Sequence, residues 1–472
     1  MSPGAKDDPG GDLRSDLRSV ADRAADFLQS LSDRPVCTNI SPLDLFQGLD
    51  RPLPETGTPP DTVIRELARD VESGLVASVG PRYFGFVVGG VTRAALMADW
   101  LTSVWDQNAQ VYATSPAAAA VEVIVSRWIL ELFELPLESS VGFVTGCQMA
   151  NFTALSVARN AVLERSGWDV DERGLFGAPH IRVLMSDCGH ATIRSAARMM
   201  GIGSEQIHLI PSDDQGRMRL DSLALEIREA VGSPMIVALQ AGNVNTGALE
   251  PVAAVADLVV GENAWIHVDG AFGLWATVGS KDFPEMSRAD SWSTDGHKWL
   301  NVPYDSGIVI VKDAAQHARL KISRCDYVGD ESADRRDGST WAPENSRRAR
   351  AFVLYAVLRE LGRSGVSEMV ERASALARKL ADGVSEISGA RVLNEVVLNQ
   401  VLVCFQSPRG QNSADFHAAL AASVQASGRC WLGSTIWKGT PALRVSVCNA
   451  ATTEGDIAIL LDVLARAVET HR

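Results

Sequence analysis

From about Pro81 to Gly365 the chain alternates between two textures. Short apolar runs (VGFVT, IRVLMS, QIHLI, MIVALQ, AWIHVDG, SGIVIVK) are bounded by turn residues and separated by stretches with helical spacing. The runs are nearly continuous in Val, Ile and Leu rather than alternating, as strands buried on both faces must be. Strands that take turns with helices predict a mostly parallel α/β sheet in a large domain over 81–365. Ser115-Pro116 predicts a helix start, with an N-cap and then Pro in the first turn, leading into the buried helix AAAAVEVIVSRWILELF. Upstream, DLRSVADRAADFLQSL and TVIRELARDVESGL read as helices on either side of the Pro-rich RPLPETGTPP. They carry too few apolar residues for a core of their own, so residues 1–80 read as an N-terminal arm, with 1–11 disordered. Beyond Gly365 a helix (VSEMVERASALARKLADGVSEI), apolar strands (NQVLVCFQ, ALRVSVC) and a last helix from Thr453 predict a small α+β domain over 366–472.

Composition narrows the classes. With 472 residues, the chain can bury a large core without staples. Its 44 basic and 58 acidic residues give a net charge of −14, which argues against a nucleic-acid footprint. Seven scattered cysteines without a CxxC pair read as reduced thiols of a cytoplasmic protein, and no metal is expected. The first residues, MSPGAKDDPGGDLRSD, lack an apolar signal region, and no run of 18 apolar residues suggests a membrane span.

The chemistry concentrates in HVDGAFGLWA and, 29 residues on, DSWSTDGHKWLNVPYDSG. Asp269 ends an apolar run, where a parallel sheet presents side chains to a ligand crevice. A carboxylate there needs a cationic partner, and a protonated pyridine nitrogen is one. Gly270, Ala271 and Gly273 would let a planar ring approach. Lys298 lies between a small-residue turn and Trp-Leu, so burial should lower its pKa and expose the amine needed to capture an aldehyde. Taken singly, Asp269 also reads as a turn cap and Lys298 as a solvated loop residue. In TGCQMANFTAL a strand, a tight glycine turn and a helix start form an anion site of the kind every α/β protein has several of; it lacks the Walker pattern. His190, in SDCGHATIRSAARMMG, either stacks on a π-system or is an ordinary hydrogen-bonded loop histidine.

Together these segments resemble the pyridoxal 5′-phosphate (PLP)-dependent decarboxylases of the glutamate and aromatic-amino-acid type, over roughly residues 60 to 460 and in the same order. Further pieces are PRYFGFVVGG, SPAAAAVE, GRMRLDSL, GNVNTGALEPV, SRRARAFVLYAVLRELG and LRVSVCN. The resemblance implies a fold-type-I PLP-dependent transferase architecture and loss of CO₂ from an amino acid to give an amine. It implies that Lys298 holds the cofactor as a Schiff base and that Asp269 pairs with its ring nitrogen. His190 stacks on the ring and Ala271 packs beneath it, while Cys147, Gln148, Asp295 and His297 bind phosphate. By the same carry-over Asn243 lies near the ring or its hydroxyl, Tyr83 and Phe84 shape the substrate end, and Arg444 sits near the substrate carboxylate. It also implies a homodimer with shared active sites, around which the arm would wrap.

Two positions depart from the family. Cys147-Gln148-Met149 stands where many relatives have Gly-Thr-Glu. Where relatives carry a loop tyrosine that protonates the carbanion, counting back from Trp341 gives Gly338; the nearest tyrosine is Tyr327, before the charged run GDESADRRDG, so either the loop brings Tyr327 or another donor to the site as the catalytic acid, or protonation is not the outcome. Loss of that tyrosine in relatives diverts the outcome to an aldehyde, so oxidative deamination, retro-aldol cleavage or amino-group transfer stand as alternative outcomes. A catalytically retired scaffold or sensor is the alternative of another class.

Overall fold

The computed structural model describes residues 12–279, 285–321, 335–408 and 411–471. The expected disorder of residues 1–11, the tyrosine Tyr327 and most of the charged run lie outside these. Seven strands form the main sheet: β1 (Ser140–Val144), β2 (Arg182–Ser186), β3 (Ile207–Ile210), β4 (Met235–Gln240), β5 (Ala264–Asp269), β6 (Ser291–Asp295) and β7 (Gly307–Val311). Their order is β1-β7-β6-β5-β4-β2-β3. Neighbours run parallel from β6 through β3, while β7 is antiparallel to both β6 and β1. The fold is therefore α/β with a mostly parallel sheet.

Period-two geometry explains the continuous apolar runs. Val237, Leu239, Ile266, Val268, Ile308 and Ile310 feed one core, while Ile236, Ala238, Trp265, Val309 and Val311 point into a second on the opposite face. The second core is roofed by the helix Cys147–Arg165, whose Ala154, Leu155, Ala158 and Val162 are fully buried. β6 reads SWSTD, yet all five residues are buried.

The first core continues into a second sheet, β8 (Ala390–Val392), β9 (Gln400–Phe405), β10 (Gly433–Trp437) and β11 (Thr440–Ser446), ordered β10-β11-β9-β8. Between the sheets runs one helix, Ala351–Ser385, kinked where Gly362 adopts φ 62°. The sequence had suggested two separate pieces there, SRRARAF… and VSEMVER….

Two further details differ from the sequence reading. The arm holds a third helix, Pro42–Leu49, started by Ser41, whose hydroxyl accepts from the Asp44 N–H. The helix Pro116–Leu132 begins as expected, but Ser115 does not cap it: its hydroxyl donates to the Asn108 carbonyl at 2.7 Å. Inside that helix, buried Glu122 receives the guanidinium of Arg347 at 2.6 Å and that of Arg336 at 3.0 Å, a paired and hydrogen-bonded arrangement that a buried carboxylate requires.

Candidate active site

The C-terminal ends of β4, β5 and β6 open on a cavity of about 260 Å³. Asp269, Lys298, His190, Ala271, Cys147, Gln148, Asp295 and His297 all line it, so eight of the residues singled out in the sequence converge on one place. Parallel strands dictate this: their C-terminal ends share one edge, and the loops that follow carry the side chains.

Asp269 is the best-supported group in the cavity. Asn151 donates to its Oδ2 at 3.0 Å, Thr192 to the same oxygen at 3.4 Å, and the Ala271 N–H to Oδ1 at 3.2 Å. Asn151 is fixed in turn. Its Oδ1 accepts from His267 Nε2 at 3.0 Å and from Ser293 Oγ at 2.5 Å. His267 Nδ1 meets Ser291 Oγ at 2.9 Å, and Ser291 also accepts from Trp265 Nε1 at 2.8 Å. Burial pushes the His267 imidazole down to about 4, so it is neutral and can serve Asn151 as a donor.

Asp295 organises the opposite wall. Its Oδ1 accepts the Cys147 N–H at 2.7 Å, and its Oδ2 lies 3.0 Å from Lys298 Nζ and 3.5 Å from His297 Nε2. Asp295 thus orients the lysine and the first turn of the helix Cys147–Arg165 from within the cavity wall. The expectation for Lys298 is corrected. Burial alone would push its ammonium down, but the carboxylates of Asp295 and Asp269 outweigh burial and hold its pKa above the ordinary value. His297 accepts the Ser306 N–H on Nδ1 at 3.1 Å and stacks against Tyr304, ring centroids 4.3 Å apart; burial pulls its pKa down. His190 N-caps the helix Ala191–Met199, with Nδ1 2.8 Å from Thr192 Oγ1; burial lowers its pKa, partly opposed by Asp269 and helped by the charges of Lys298 and Arg444.

The turn beneath the first helical residues is built by contact between two glycines. A Cβ on Gly307, at the start of β7, would fall 2.4 Å from the Cα of Gly146. That approach lets the turn settle onto the sheet and aims the helix at the cavity.

Four expected residues do not line the cavity. Asn243 spends its carboxamide elsewhere: Oδ1 accepts the N–H groups of Asn245 at 2.9 Å and Thr246 at 3.2 Å within GNVNTG, and Nδ2 donates to the Cys188 carbonyl at 3.2 Å. Phe84 is part of the main core, and Tyr83 stacks on Trp431 with centroids 5.0 Å apart; Val87 is the residue by which their segment reaches the cavity. Arg444, on β11, donates to the carbonyl of Val244, a cavity residue, at 2.9 Å. It has no carboxylate partner among the described residues. Asn151, Thr192 and Gln240 escaped the sequence reading; the first two stood inside quoted motifs, and Gln240 closes the run MIVALQ.

Gly338 is buried. A Cβ there would lie 2.3 Å from the Ala109 carbonyl oxygen and overlap the Arg347 guanidinium. Its neighbours bind the same segment: Asp337 Oδ1 accepts the Tyr112 N–H at 2.8 Å and the Ser339 N–H reaches the Gln110 carbonyl at 2.9 Å. The backbone at this position is a packed ledge with no room for a side chain.

The donor set suits a pyridine aldehyde phosphate. It holds a braced carboxylate for a ring nitrogen, an amine for an aldehyde, and a glycine turn with a helix N-terminus for phosphate. Residues 42–407 match the model of the pyridoxal-dependent decarboxylase conserved domain. The chain belongs to the pyridoxal-dependent decarboxylase family. It is therefore a PLP-dependent carboxy-lyase. Among curated relatives, L-2,4-diaminobutyrate decarboxylase of Rhizobium meliloti (strain 1021) is 29% identical over 440 residues, covering 90% of this chain and 86% of that protein. Aromatic-L-amino-acid decarboxylase of Bacillus atrophaeus is 26% identical over 465 residues, covering 95% and 94%. Among solved structures, Oryza sativa TDC with PLP and tryptamine superposes with a TM-score of 0.91 at 23% identity, covering 99% of this chain and 100% of that one, a likeness of fold.

Proposed function

We propose that this decarboxylase acts on an L-amino acid, releasing CO₂ and an amine, with Lys298 as the cofactor-holding lysine and Asp269 as the partner of the ring nitrogen. The observation that carries the assignment is that Asp269 and Lys298 face one cavity, the first braced by three donors and the second held at 3.0 Å by Asp295. When bound, PLP supplies an aldehyde for the substrate amine and a ring that draws electrons from the α-carbon. Asp269 keeps a proton on the ring nitrogen, because the hydrogen bonds from Asn151, Thr192 and Ala271 fix its carboxylate in place. Gly146 and Gln148 serve the phosphate from the helix N-terminus, where N–H groups and the dipole favour an anion. His190, held by Thr192 at the cavity wall, offers an imidazole face to the ring. Arg444, without a carboxylate of its own, meets the substrate carboxylate. Asp295 steers the Lys298 amine, holding Nζ at 3.0 Å on the cavity wall.

Lys298→Ala should abolish turnover and the borohydride-sensitive visible absorbance of the cofactor-loaded protein. Full turnover in that variant would end the assignment. Product analysis on an amino-acid panel, with and without oxygen, should find amine and CO₂; aldehyde with ammonia would move the reading to oxidative deamination.

We also infer a homodimer working in the cytoplasm. The arm supports the first: Leu13, Leu17 and Val20 form a stripe on a helix that buries no residue, and Val63, Ile64 and Leu67 form another. The six described cysteines are free, which suits a reducing compartment.

A further inference from the structure

Asn301 follows Lys298 within the same turn, fully buried and with φ 56°, in the left-handed region that asparagine enters more readily than most residues. Every polar atom it has is committed. Its N–H donates to the Lys298 carbonyl at 3.2 Å, and its own carbonyl accepts the Thr92 N–H at 2.9 Å. In the side chain, Oδ1 accepts the N–H groups of Gly90 at 2.5 Å and Ala450 at 2.8 Å. Nδ2 donates to the carbonyls of Trp299 at 2.8 Å and Cys448 at 3.1 Å. A carboxamide offers two protons and two lone pairs on its oxygen, so nothing is left over.

Those bonds join three segments around one amine. The first is the turn that carries Lys298. The second runs from Val87, a wall of the cavity, to Thr92, and it presses on the lysine's backbone: a Cβ on Gly89 would fall 2.0 Å from the Lys298 carbonyl oxygen. The third continues from β11, the strand of Arg444, through Cys448 to Ala450. Lysine carries its amine on a long, flexible stem, so where Nζ reaches depends on how firmly the backbone beneath it is held. A second asparagine gives a contrast. Asn449 Nδ2 donates to the carbonyls of Val79 at 2.8 Å and Gly80 at 3.0 Å, and its Oδ1 accepts the Ala451 N–H at 2.8 Å. It fastens neighbouring stretches of the same two segments, but none of these bonds goes to the Lys298 turn.

We propose that Asn301 is a positioning residue for Lys298: it locks the lysine's turn to the Val87 segment and to the end of β11, so that the amine is already aimed when an aldehyde enters the cavity. The proposal rests on Lys298 being the cofactor-holding lysine. Asn301→Gly leaves the positive φ open and removes only the amide. Asn301→Asp keeps an acceptor for Gly90 and Ala450 but sets an oxygen against the Trp299 and Cys448 carbonyls. The test adds PLP to cofactor-free protein well below its melting temperature. Amine and aldehyde join with loss of water, borohydride reduces the new C=N bond at timed intervals, and mass spectrometry follows the label on the Lys298 peptide. Both variants should label roughly tenfold more slowly or worse, the cost of a misplaced reacting group. Asn449→Ala, which loses a comparable set of bonds, should melt lower yet label at the wild-type rate. Should Asn301→Gly not fold, Asn301→Asp carries the comparison. A wild-type labelling rate in a folded Asn301 variant, or equal slowing in Asn449→Ala, overturns the proposal. If wild type itself gains no label on Lys298, the underlying site reading fails instead, and the two failures are told apart.

Discussion

At the scale of single residues, Gly338 settles what the loop position can and cannot be. With a Cβ 2.3 Å from the Ala109 carbonyl oxygen, a tyrosine there has no space unless the 109–112 segment moves. Gly338→Tyr should destabilise the protein by about 1–3 kcal/mol or more, the range for overpacked cores, and should add no proton donor to the cavity. Urea unfolding read beside the amine-to-aldehyde ratio checks both halves; a stable variant with an altered product ratio would show that the ledge opens. The same contrast explains which site residues were legible in sequence. Asp269 and Lys298 stand out because charged groups at the ends of apolar runs are costly without a ligand. Tyr83, Phe84 and Asn243 do not line the site because carried-over motifs give position along the chain but not direction: two rings turn into packing, and one amide is shared between its own turn and the Cys188 carbonyl. Gln240 and Asn151 were invisible for the opposite reason, since an amide at the end of a strand or inside a helix reads as any polar residue until its neighbours are known.

At the scale of elements, strands β1 to β5 and β7 were legible because burial on both faces demands continuous apolar runs. β6 lacks such a run, since its Ser291 and Ser293 face not hydrocarbon but a hydrogen-bonded chain. That chain joins three elements. It runs from Trp265 on β5 to Ser291 on β6, back to His267 on β5, on to Asn151 on the helix Cys147–Arg165, and ends at Asp269. Its sensitive link is His267, whose folded pKa is about 4 against an ordinary 6.5. A depressed folded value means the unfolded chain binds the proton more readily. The stability this group contributes is therefore present above pH 6.5 and is lost as pH falls from there through about 4. His267→Gln, which takes up no proton, should be less stable near neutrality because it breaks the chain, but should show a shallower loss of unfolding free energy over that acid window. Denaturant titrations at stepped pH would reveal it, and parallel slopes for both proteins would place the acid sensitivity elsewhere. The long helix Ala351–Ser385 was less legible: Gly365 read as a boundary, whereas packing against the helices Arg93–Trp105 and Pro116–Leu132 on one side of the kink and against β8 and β9 on the other carries the helix past Gly362.

At the scale of the whole molecule, the unsettled account is the arm. Its helices read in sequence as too poor in apolar residues for a core, and the folded chain agrees, leaving Leu17 53% and Leu67 52% exposed. Covering a leucine is worth about 1.5–3 kcal/mol, and an open stripe of several is a surface that a second copy can close. Because a two-fold interface presents the same patch twice, each substitution on the arm is felt twice. If the arm closes a dimer, light scattering at micromolar concentration should find wild type dimeric and Leu17→Glu with Leu67→Glu monomeric. If the sites are shared between subunits, decarboxylation should fall with the dimer fraction and recover as protein concentration rises, while the thermal unfolding of the main sheet changes little. A wild-type protein that is monomeric and fully active at the same concentration would remove the dimer, and the arm would then have to hold its apolar stripes against solvent or against a different partner.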